Sequence, residues 1–95
     1  MAGSNQPDTV TVFIPPLLRK LVVGAVFVRT NAGTLQQILD ELEIRFPGLR
    51  AKLCDENGIR PGLTVSVGDT ILSHGLAESI PPGSEVHFLP SLGGG

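Results

Sequence analysis

A single amphipathic helix stands among short alternating β-type runs, which restricts the chain to a sheet packed on one main helix. Leu35, Ile38, Leu39, Leu42 and Phe46 recur at helical spacing, whereas Gln36, Asp40, Glu41, Glu43 and Arg45 fall mostly on the opposite side. Thr34 stands where an N-cap belongs and Gln37 follows three residues later, the spacing of a reciprocal capping box. Pro47 and Gly48 close the helix, and residues 49–53 can add a short further turn.

On either side the period changes to two. Thr9-Val10-Thr11-Val12 alternates polar and apolar, continues through Phe13 and Ile14, and is stopped by Pro15 and Pro16. A second β-rich run is expected over residues 24–29, pairing with the first as an antiparallel hairpin with a long connection. Beyond the helix, Asp55-Glu56-Asn57-Gly58 is loop chemistry, and Leu63-Thr64-Val65-Ser66-Val67 leads through Gly68-Asp69 into a short arm at Thr70-Ile71-Leu72. Pro81-Pro82-Gly83-Ser84 turns the chain into the last strand, residues 85–89. The order strand, strand, helix, strand, short strand, strand is that of an α+β, β-grasp domain, with the first and last strands parallel at the centre. The expected division is a loose leader over residues 1–8, one domain over 9–92 and a flexible glycine tail over 93–95.

Composition narrows the function. In 95 residues, 41% are hydrophobic and 17% charged, enough apolar material for one core and too little chain for two. Nine acids against seven bases, net charge −2, leave no basic stripe for a phosphate backbone, so no nucleic-acid partner is expected. The lone cysteine, Cys54, cannot close an internal disulfide or complete a four-ligand metal site, which points to a reducing, cytoplasmic setting and no metal. No signal core or membrane span stands out, and Ala2 follows Met1 where myristoylation requires glycine, so no membrane partner is expected.

The chemistry is concentrated at the end of the chain. After Pro90-Ser91-Leu92 come Gly93, Gly94 and Gly95, so main-chain atoms are the functional candidates. An α-carboxylate, with a pKa of roughly 3.3 to 3.7, is ionised at neutral pH and is a poor electrophile until it is activated as an acyl group. Glycine gives a tail the thinnest cross-section for entry into another protein's active site, at an ordering cost of about 1 to 2 kcal/mol per backbone fixed. A glycine run by itself also fits a frayed end; its place directly after a final strand favours a presented tail.

Residues 10–19, Gly33-Thr34-Leu35 with Phe46-Pro47-Gly48-Leu49, Gly75-Leu76-Ala77 and residues 88–95 together resemble the ubiquitin-like sulfur-carrier family of the molybdopterin-synthase small subunit and the thiamine-pathway carrier. The resemblance runs from about Thr9 to the end, and Ile14-Pro15-Pro16-Leu17-Leu18-Arg19 is most similar to the branch that serves a cysteine synthase. It implies a β-grasp fold and a protein co-substrate rather than an enzyme. It further implies adenylation of the terminal glycine by an enzyme of the ubiquitin-activating type, which uses ATP, with no cofactor bound to the carrier. Conversion to a thiocarboxylate would follow, then sulfur delivery to an acceptor such as a cysteine synthase or a molybdopterin-synthase large subunit. The family ends in Gly-Gly and this chain adds a third glycine; Gly95 is expected to carry the reacting carboxylate, with Gly93 and Gly94 as its tail. The family's usual asparagine in the central hairpin is absent around Val67-Gly68-Asp69.

Three rival functions remain open to the sequence: a molybdopterin or thiamine-pathway carrier, a ubiquitin-like modifier captured by lysine amines, and a β-grasp interaction module with an inert tail. Leu89, Leu92 and Phe13 are candidate partner-binding residues beside the tail, with core packing as the alternative for each and the first expectation for Phe13. Cys54 lies directly beside Asp55 and Glu56 rather than beside the positive neighbours that stabilise a thiolate, and reads as structural. His87 is expected at a solvated sheet position and His74 in a turn without a companion ligand; neither reads as a catalytic base. Lys20 and Lys52 are the only lysines.

Overall fold

The computed structural model describes residues 8–90. The leader expected over 1–8 lies outside this range except for Asp8, and so do Leu92 and the glycines 93–95. Asp8 is tied to the sheet, its carbonyl accepting from the Ala32 amide at 2.8 Å.

Strand β1, Thr9–Phe13, and β2, Phe27–Asn31, form the expected antiparallel pair, with Phe13 opposite Phe27 and Thr9 opposite Asn31. Their connection holds a 3-10 turn, Pro16–Val22. The second strand starts three residues later than the expected run because Val23 and Gly24 both take left-handed backbone, φ 57° and 81°. There the Gly24 amide closes the turn onto the Arg19 carbonyl at 2.7 Å.

A two-residue strand, β3, Gly33–Thr34, precedes helix α1, Leu35–Arg45. The capping box forms as the sequence spacing predicts: Gln37 N donates to Thr34 Oγ1 at 3.2 Å and Thr34 N donates to Gln37 Oε1 at 2.9 Å. A Cβ at position 33 would meet the Gln37 side-chain amide, so glycine there leaves room for the cap. Helix α2, Leu49–Leu53, follows the Pro47-Gly48 break. Its first turn is closed by the Glu43 carboxylate, which accepts from Gly48 N and Arg50 N, each at 3.0 Å.

The remaining strands are β4, Cys54–Asp55, β5, Gly58–Ile59, β6, Leu63–Val67, β7, Thr70–Ile71, β8, Ser79–Ile80, and β9, Glu85–Pro90. A short 3-10 turn, Gly75–Ala77, precedes β8. The main sheet has the order β2-β1-β9-β6-β7, while β3 pairs with β8 and β4 with β5 in two-stranded satellites. As expected of a β-grasp sheet, β1 and β9 run parallel at the centre.

Alternation along each strand sets the core. Val10, Val12, Val28, Val65, Val86 and Phe88 project from the sheet onto Leu35, Ile38, Leu39 and Leu42 of α1, and all are buried. Burying such a side chain contributes about 1.5 to 3 kcal/mol, so this single layer supplies most of the driving force. Among the described residues no helix is long and apolar enough to cross a membrane.

Candidate functional site

The order of strands places the end of the chain. β9 is flanked by β1 on one side and β6 on the other, and its last residue, Pro90, stands opposite Leu63. Both neighbours hold β9 in register, Phe13 opposite His87 and Thr64 opposite Leu89, so the direction of the chain at Pro90 is fixed by the sheet. Five residues, 91–95, follow in the sequence and carry Leu92, Gly93, Gly94 and Gly95. Those candidates lie outside the described residues.

Phe13 and Leu89 share the outer face of the sheet, away from α1. Phe13 is half-buried and absent from the core, contrary to the first expectation for it, because strand parity turns it away from Val10 and Val12. Its ring is stacked on the His87 imidazole, with centroids 4.3 Å apart and planes 7° apart, and tilted against Phe27 at 5.7 Å. The register extends this contact into a row that crosses all five strands: Phe27, Phe13, His87, Ser66 and Ile71. Phe27 and Ile71 are exposed despite their size, and Leu89, two residues beyond His87 on the same face, is 42% exposed. The row is apolar at Phe27, Phe13 and Ile71, with His87 and the buried Ser66 between Phe13 and Ile71. A polar row of Arg29, Thr11 and Glu85 borders it on the side away from Pro90.

Phe27 and Ile71 were not singled out from the sequence. Their signal is the strand register: once Phe13 faces Phe27 and Ser66 faces Ile71, parity alone puts them on the same face. His87 is less solvated than expected, because Phe13 covers one side of its ring, and Glu85 Oε1 lies 3.7 Å from its Nε2.

The other reactive candidates are dispersed. Cys54 is buried, and burial pushes its thiol above the ordinary range. Arg50 and Arg60 pull in the opposite direction, but desolvation outweighs them. His74 does have a companion, since its Nδ1 lies 3.1 Å from Glu78 Oε1, one helical turn along an exposed segment. Lys20 and Lys52 are both exposed.

The comparisons with known proteins agree with this architecture. The ThiS family model matches residues 8–95. The sulfur carrier protein CysO of Mycobacterium tuberculosis and that of Mycobacterium bovis are each 33% identical over 93 residues, covering 90% of this chain and 98% of the relative. Among solved structures, the complex of BexX and CysO from Amycolatopsis orientalis matches with TM-score 0.81 and 33% identity, over 90% of this chain and 99% of the other. SAMP1 from Haloferax volcanii matches with TM-score 0.70 at 20% identity, over 92% of this chain and 99% of the other, a likeness of fold. The β-grasp sheet, the register that sets its central strand and the match along nearly the whole chain converge: the protein belongs to the ThiS family, the ubiquitin-like sulfur-carrier family that its sequence resembles.

Proposed function

We propose that the protein is a sulfur carrier whose Gly95 carboxylate is adenylated, converted to a thiocarboxylate and used as a sulfur donor in biosynthesis, that of cysteine in the first place. The observation that carries this reading is the placement of β9 at the sheet centre, between β1 and β6, directly ahead of the Gly93-Gly94-Gly95 run in the sequence. The full-length similarity to CysO supports the same reading.

The chemistry divides between the chain and its partners. An enzyme of the ubiquitin-activating type joins the carboxylate oxygen to the α-phosphorus of ATP and releases pyrophosphate. Sulfide, or a persulfide with a reductant, then displaces AMP at the acyl carbon and leaves a C–S bond where a C–O bond was. The carrier contributes the acyl group and a body that docks; it acts as a co-substrate, with ATP bound by the partner. Docking falls to the outer face, where Phe13 and Leu89 stand toward the Pro90 end of the sheet and Leu92 follows in the sequence. On an acceptor enzyme such as a cysteine synthase the thiocarboxylate sulfur bonds to the acceptor substrate, and water then cleaves the bond between the tail's acyl carbon and that product, which restores the carboxylate and releases the sulfur-bearing product.

Carrier-dependent exchange of pyrophosphate into ATP tests this reading. With an adenylating enzyme of the same organism, the full chain supports exchange and a chain lacking Gly94 and Gly95 does not. Exchange by neither chain would leave a β-grasp interaction module with an inert tail. Activation followed by capture on lysine amines, with no sulfur incorporated, would identify a modifier.

A further inference from the structure

A second surface adjoins the point where the chain leaves the sheet. Between the Pro16–Val22 turn, α2 and the start of β6 lies a groove of about 310 Å³. Pro15, Leu18, Leu53 and Leu63 give it an apolar lining, and Lys52 and Arg60 stand in its walls. Among the described residues no aspartate or glutamate lines it. Leu63 is the residue that pairs with Pro90, so the groove lies at the end of the sheet where β9 ends. Leu17, also in the lining, is 88% exposed.

The two cations are unspent. Among the described residues neither Lys52 nor Arg60 enters an ion pair. Arg60 donates from Nε to the Ala51 carbonyl at 2.8 Å, which anchors the guanidinium without neutralising it. On a chain of net charge −2, an apolar groove walled only by cations is complementary to an acidic segment with an apolar anchor. Two cations around an apolar floor are too few and too greasy for a phosphate backbone.

We infer that this groove is a second docking site, separate from the outer sheet face, which takes an apolar side chain flanked by carboxylates on the enzyme that activates the tail. The inference rests on the carrier reading and names a contact that reading leaves unspecified. Two attachment points, the groove and the outer sheet face, fix the orientation of the folded body on the partner, which a single patch does not.

The test uses the full chain, the double variant Lys52→Glu/Arg60→Glu and Leu17→Ser, with the adenylating enzyme of the same organism, ATP and sulfide. Thermal unfolding confirms that each variant folds; if the double reversal does not, Lys52→Gln/Arg60→Gln replaces it. The expected result is a KM for the carrier raised about tenfold or more by the charge reversal, with kcat within about twofold, because the lost contact is a binding contact. The wild-type KM should rise with salt and the variant's should not. An unchanged KM while the wild type is activated overturns the groove inference and leaves the carrier reading standing. A lowered KM overturns it too, and assigns the groove to the chain's own tail. Failure of the wild type to be activated removes the carrier reading and this inference together.

Discussion

The His87 imidazole lies nearly parallel to the Phe13 ring at 4.3 Å on the outer face of the sheet, joining the two parallel central strands at the end nearest Pro90. Both side chains point away from the core, so the fold does not require either ring. An aromatic contact of this kind contributes about 0.5 to 1.5 kcal/mol beyond the area it buries.

Replacing Phe13 therefore separates docking from folding. Phe13→Ser should lower stability by about 1.5 to 3 kcal/mol, the stack together with the half-buried area of the ring. It should weaken binding to the activating enzyme by about tenfold or more if the ring is a central contact. Urea unfolding and a titration monitored by calorimetry measure the two effects; a large stability loss with unchanged binding would move Phe13 from the interface to the core.

Glu43 gives the stability a defined acid dependence. Hydrogen bonds from Gly48 N and then Arg50 N hold its carboxyl below the ordinary carboxylate range. The folded state thus binds the proton less readily than the unfolded chain. The stabilisation is present above the unfolded carboxylate value and is lost as pH falls through the depressed folded value. Glu43→Gln should lower the unfolding midpoint at pH 7, and the gap to wild type should close in acid. A gap that persists unchanged at low pH would show that shape rather than charge closes α2.

Val23 is the one non-glycine residue with positive φ among the described residues, and it is 92% exposed. A left-handed L-residue costs about 1 to 2 kcal/mol, and nothing in the core offsets it here. Val23→Asn, which tolerates this backbone, should raise stability by about 1 kcal/mol in urea unfolding. A destabilised variant would mean that the valine makes a contact within the fold.

Cys54 should be inert in the native protein. Its thiol is buried and held above the ordinary range by desolvation. Alkylation by iodoacetamide should be slow until denaturant is added, and Cys54→Ala should leave sulfur loading of the tail unchanged. Fast native alkylation, or loss of loading, would give the thiol a part in the chemistry.

Much of the fold was legible because the relevant signals are local. The capping box needs only Thr34 and Gln37, and the buried stripe needs only the 3.6-residue period from Leu35 to Leu42. Three features were not legible. The start of β2 depends on the left-handed Val23-Gly24 pair, which no propensity assigns to valine. Strands β3, β4, β5 and β8, at two residues each, are too short to show any period. The outer row and the cationic groove are products of register and topology, joining residues as distant as Phe27 and Ile71, or Pro15 and Arg60. The proposed reacting group, by contrast, is read from the sequence alone, since the glycines 93–95 lie outside the described residues.

The most direct measurement is the mass of the C-terminal peptide after incubation of the full chain with ATP, sulfide and the adenylating enzyme of the same organism. The account predicts a gain equal to exchange of one oxygen for one sulfur, located on the fragment ending in Gly95 and absent from a chain lacking Gly94 and Gly95. An unchanged terminal fragment under conditions that turn over the enzyme, or sulfur found on Cys54 instead, would contradict it.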